Sequence, residues 1–219
     1  MAIRLTSGAT RHSTTVHAIL DNEQSPDVDV RRWLDLGVDA APDARARAVL
    51  HLQDLMNGQS ITGKVAYYPV DGVTKAQIRG AMDAARGRYI RGDFDAITEW
   101  RIHYHYTPST ASAPGTSKFT VDESIVITLP ELANRKSVDP ALADAWDDFS
   151  RHLLYHEEGH YLIDEATIVA LRARVAHLPG NTPFNDVDAL CKRTMDEYSA
   201  MNKEYDSVTD HGVTQGASF

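Results

Sequence analysis

Residues 156–160 read His-Glu-Glu-Gly-His, so His156 and His160 stand four positions apart with Glu157 beside the first of them. On an α-helix, side chains four apart lie on one face about one turn apart. Two imidazoles so placed can converge on one ion. Glu157, next to that face, can reach a metal-bound water without binding the metal. Imidazole nitrogen suits zinc, and amphipathicity alone gives no reason for this arrangement. The flanks, Leu153, Leu154 and Tyr155 before the motif and Tyr161, Leu162 and Ile163 after it, predict a buried stretch of helix. Buried His and Glu need partners. A metal is one such partner, and a satisfied polar network is the other.

A catalytic zinc site usually takes three protein ligands and keeps one open position. Asp164 lies one further turn along the same face, but that is about 12 Å along the axis from His156. A continuous helix cannot bring both onto one ion. A helix break after the motif followed by a third histidine is also absent, because Ile163 and Ala166 occupy the positions it needs. The third ligand must come from another element. The candidates are Glu197 and Glu204, on a later helix, and Asp206 and His211 in "EYDSVTDHG". His211 is the preferred third ligand and Asp206 its main competitor, which could instead orient a ligand histidine. Gly212 lets the chain turn closely beside whatever His211 touches. Tyr205 is a candidate donor to a developing oxyanion, or else a tyrosine of the helix core.

Several elements must hold these residues. "KVAYYPV" (64–70) reads as a strand, "DG" as a turn, and Thr74 can cap a helix reaching about Ala85. In "ITEWRIHYHY", Trp100, Ile102, Tyr104 and Tyr106 alternate with Arg101, His103 and His105, the period-two pattern of a half-buried strand. His103 and His105 could line a cleft from its other face. After a loop at 107–117, "KFTVDESIVITLP" returns as a β segment, and "SIVITLP" is the expected sheet edge that a peptide could join. Asp139-Pro140 is an N-cap and first-turn pair for a long helix ended by "PGNTP". A second helix is expected from about Asp186 to Glu204, then a non-helical tail. Residues 41–57 look helical, within a lead of residues 1–60 that precedes a domain at 61–219. The fold class is α+β: a small, mostly antiparallel sheet packed against two long helices.

Composition limits the function. With 22 Lys+Arg against 31 Asp+Glu, formally -9, the chain lacks the positive charge that phosphate-backbone binding requires, so no nucleic-acid partner is expected. No run reaches the eighteen or more apolar residues of a membrane span. The single cysteine, Cys191, excludes an intramolecular disulfide. The N-terminus shows no apolar core of a standard signal peptide, which leaves a cytoplasmic location open.

"FDAITEWRIHYHY", "VITLP", the Trp in "ALADAWDDFSRHLLYHEEGH" and "YDSVTDHG", in that order, together resemble the bacterial DUF922 family, described as predicted secreted zinc-dependent proteases. The likeness runs from about Val65 to Gly216. It implies a zincin-like fold, a bound zinc ion, peptidase activity and a secreted or periplasmic setting. Its motifs carry over onto His156, Glu157 and His160, and onto Tyr205, Asp206, Thr209, His211 and Gly212. The expected function is therefore hydrolysis of a peptide or protein substrate by metal-activated water, with Glu157 as general base. The alternative is a non-catalytic, zinc-containing structural or peptide-binding module. Glu157 separates the two, since a structural zinc is closed by four protein ligands and needs no unliganded carboxylate there.

Overall fold

A computed structural model describes residues 64–219. The expected lead at 1–60 and its helix at 41–57 lie outside the described residues. In chain order the elements are β1 (Lys64–Val70), α1 (Lys75–Ala85), β2 (Ile97–Thr107), β3 (Lys118–Leu132), α2 (Pro140–Ala176) and α3 (Phe184–Thr209), with short 3-10 turns at Arg135–Ser137 and Val213–Gln215. The class is α+β, with a three-stranded sheet and three helices.

Local chemistry sets the helix starts. Thr74 caps α1 by accepting from the Gln77 amide, and Asp139 caps α2 by accepting from the Ala141 amide at 2.9 Å, with Pro140 in the first turn. Along α2, residues 161–168 are all buried. A helix buried on every side must have neighbours on every side. Tyr161, Leu162 and Ile168 pack into the sheet core with Tyr68, Ile127 and Phe149. Ile163, Ala166 and Ala170 instead meet Tyr198, Met201 and Tyr205 of α3. α2 thus packs on the sheet by one side and on α3 by another, while the start of α3 also meets β2 through Asp188 and Tyr104.

The sheet order is β1-β3-β2. β3 pairs parallel with β1 and antiparallel with β2, so the sheet is mixed rather than mostly antiparallel. "SIVITLP" is the central strand and not an edge. Pro130 is tolerated there because the β2 ladder ends at the Ile97–Thr128 pair, two residues earlier, and loses no hydrogen bond to it. Among the described residues the outer edge of β2 has no strand partner.

α3 runs one turn further than Glu204 and takes in Tyr205, Asp206 and Thr209. Tyr205 and Thr209 are fully buried, and that packing outweighs the weak helix preference of Thr and Asp. The helix stops where Asp210, His211 and Gly212 successively take positive φ of 49°, 51° and 87°. Among the described residues, no helix is long and apolar enough to cross a membrane.

Candidate metal centre

His156 and His160 come from α2 and Asp206 from α3, one turn short of its end. One ligand atom from each of these three residues lies within 4.8 Å of the others. The two Nε2 atoms sit 3.3 and 3.0 Å from Asp206 Oδ1. Ligands on a tetrahedral zinc with bonds near 2 Å are separated by about 3.3 Å. The spacing therefore fits one ion of that size.

Hydrogen bonding at the far side of each ring makes the same point. His156 Nδ1 lies 2.9 Å from Gln215 Oε1, and His160 Nδ1 lies 2.8 Å from Asn202 Oδ1. Each imidazole thus faces an oxygen acceptor at both nitrogens. A neutral imidazole has one N–H and can satisfy only one of them. Without a cation both contacts require imidazolium. With a cation between the Nε2 pair and Oδ1, neutral rings donating from Nδ1 satisfy the whole set.

The metal-free electrostatics follow from this crowding. For Asp206, burial opposes ionisation, but hydrogen bonds from His156 and His160 hold the carboxyl well below its usual range. Burial likewise opposes charge on His160, yet the hydrogen bond to Asp206 and the charge of Glu157 push it up to about 9. Asp164 shows the reverse balance: burial pushes it up to about 7, partly offset by the Asn202 hydrogen bond and His160.

Glu157 is buried, and its Oε2 accepts from the Thr98 hydroxyl at 2.7 Å. Thr98 lies at the start of β2, so the sheet holds the carboxylate in place. The residues open onto a cleft of about 530 Å³, in the size range of small-ligand sites. Its walls include Phe94, Trp100, Lys203 and Val213. Tyr106 reaches Gly180, Tyr104 reaches Asp188 and Phe94 meets His211, so β2 and α3 run in opposite directions along the two sides.

The expected site residues separate here. His211 lines the cleft but stays outside the three-residue group; its side chain is 56% exposed, with Nδ1 3.4 Å from Asp206 Oδ1 and its ring against Phe94. Of the two candidates for third ligand, Asp206 and not His211 is the one grouped with the two histidines. The helix continues far enough to aim Asp206 inward, while the left-handed turn carries His211 to the rim. Gly212 is needed in that turn: a Cβ there would come within 3.0 Å of His156 Cγ, at a φ that disfavours other residues. Tyr205, the candidate oxyanion donor, does not line the cleft. Fully buried and outside the cleft lining, it stacks on His156 and donates to the His156 carbonyl at 3.2 Å. It positions the helix bearing His156. Glu197 is engaged by Arg174 and Glu204 lies outside the metal group. His103 and His105 stand exposed on β2, away from this cleft; His103, but not His105, lines a separate one of about 400 Å³ with Glu99, Arg101 and Asp122.

Thr98, Asn202 and Gln215 were not foreseen. Asn202 carried one signal, its position four residues before Asp206, which shares a helix face once α3 extends that far.

The DUF922 family model matches residues 65–212, from β1 to the glycine that closes the turn after α3. The chain belongs to the DUF922 family. The family is described as bacterial protein of unknown function. No curated protein and no solved structure matches the chain. The DUF922 match encloses the sheet, all three helices and every member of the His156, His160, Asp206 group.

Proposed function

We propose that this DUF922 protein is a zinc-dependent peptidase of zincin-like arrangement, with His156, His160 and Asp206 as the metal ligands. The observation that carries the reading is Glu157: a buried carboxylate beside two convergent imidazoles, outside the ligand group, and held by Thr98. A structural site has no use for it. When bound, zinc supplies an acidified water and polarises the scissile carbonyl.

The chain's own groups do the rest. Thr98 holds Oε2 of Glu157, and the Glu157 carboxylate would take the proton of the attacking water and pass it to the leaving amine. His211, on the cleft rim and outside the ligand group, is available to the substrate. Phe94, Trp100 and Val213 supply the apolar part of a cleft wall that also carries Arg86, Asp93, Asp95 and Lys203.

Protein purified without added metal or chelator is expected to hold close to one equivalent of zinc and to cleave an unfolded protein substrate. Glu157→Gln is expected to keep the zinc and lose turnover by about 10²–10⁴-fold. Negligible zinc with no uptake on titration rejects the metal site. Wild-type turnover in Glu157→Gln removes Glu157 from the mechanism.

A further inference from the structure

We infer that Asp164 is a positioning residue for His160, acting through the side-chain amide of Asn202; the inference rests on reading His156, His160 and Asp206 as the metal ligands. Asp164 follows His160 by one turn on α2 and is 2% exposed. Asn202 precedes Asp206 by one turn on α3. Between them, Asn202 Nδ2 donates to Asp164 Oδ1 at 2.9 Å, and Asn202 Oδ1 faces His160 Nδ1 at 2.8 Å. The same two helix faces thus supply the ligands and the clamp behind one of them.

An amide has two ends of nearly equal shape and opposite hydrogen-bonding character. With its oxygen toward the ring, His160 carries its proton on Nδ1 and presents a lone pair at Nε2. Turned over, the amide would offer N–H to Nδ1 and drive the ring proton onto Nε2, the atom needed for the metal. Whatever fixes the amide therefore fixes the tautomer. Asp164 in its ionised form does so, because a carboxylate only accepts and the turned amide would set two oxygens against each other across 2.9 Å. The matching amide behind His156 is Gln215, which meets the Tyr205 hydroxyl.

Asp164 and Asn202 also stitch α2 to α3, so the test must separate stitching from tautomer control. Zinc affinity, by chelator competition, and metal-free melting temperature are measured for wild type, Asp164→Leu, and Asp164→Leu combined with Asn202→Asp. Asp164→Leu frees the amide and is expected to weaken zinc binding about 10–100-fold. The double variant is expected to regain most of that loss, because a carboxylate at 202 accepts from Nδ1 in either orientation and needs no partner. Unchanged affinity in folded Asp164→Leu, or a double variant no better than the single, overturns the inference. If Asp164→Leu does not fold, Asp164→Ser gives the same comparison, since its hydroxyl does not hold the amide one way. Wild type that binds no zinc defeats the underlying reading, whereas tight wild-type binding with an indifferent Asp164→Leu defeats this inference alone.

Discussion

The Thr98 hydroxyl donates to Glu157 Oε2 at 2.7 Å across 59 residues of sequence, tying the start of β2 to the helix that carries both histidines. That hydroxyl contact fixes the orientation of a buried carboxylate. Thr98→Val keeps the shape of the side chain and removes only the donor. Turnover is expected to fall about 10–100-fold, the scale of a small misplacement of a reacting group. Zinc content is expected to stay at the wild-type level. Equal loss of zinc and turnover would mean that Thr98 supports the site as a whole.

Asp206 and His211 give opposite expectations for metal binding. Asp206 Oδ1 is the atom on which both Nε2 atoms converge, whereas His211 stands at the rim. Asp206→Ala is expected to abolish tight zinc binding, and His211→Ala to retain it while lowering turnover. The check is chelator competition on both variants after their folding is confirmed by circular dichroism. A His211→Ala protein that loses zinc while Asp206→Ala keeps it restores the histidine as ligand.

Part of this site was legible because it is local. The spacing of His156, Glu157 and His160 is a property of one helix, and the alternation from Trp100 to Tyr106 is a property of one strand. The end of α3 was not legible from Asp206, Ser207 and Thr209, which suit caps better than helix interiors. It becomes helical because Tyr205 and Thr209 bury against α2, a contact between segments 49 and 53 residues apart. Sheet order is non-local in the same way. Ile125, Val126 and Ile127 in "SIVITLP" put apolar side chains on both faces, as a central strand does, yet its Pro suggests an edge. Thr98, Asn202 and Gln215 are ordinary polar residues until the fold sets them behind Glu157, His160 and His156.

Gly159 sits within the motif for a packing reason. A Cβ added there would overlap the hydroxyl and ring of Tyr205, which is itself pinned against His156. Neither helix can move aside cheaply, since α2 is buried on both flanks. Gly159→Ala is expected to destabilise the protein by about 1–3 kcal/mol or more despite the better helix propensity of Ala. Combining it with Tyr205→Leu should recover part of that loss. Denaturant unfolding measures both, and a Gly159→Ala protein as stable as wild type contradicts the close packing.

The last expectation concerns pH in the metal-free protein. His160 is raised from 6.5 to about 9, so its stabilising contribution is complete below about 6.5 and is lost as pH rises through about 9. Asp206 is lowered from 3.8, so its contribution is present above about 3.8 and disappears only in stronger acid. Chelator-treated protein should therefore melt at a falling temperature between about pH 6.5 and 9.5, with a loss of at most about 3 kcal/mol. Zinc-loaded protein should show no matching fall, because neutral imidazoles hold the ion and no Nε2 proton remains to be lost. Zinc uptake should accordingly strengthen up to about tenfold per pH unit for each proton displaced, levelling near about pH 9. Parallel pH profiles for the two forms would mean that His160 and Asp206 do not exchange a proton for the metal.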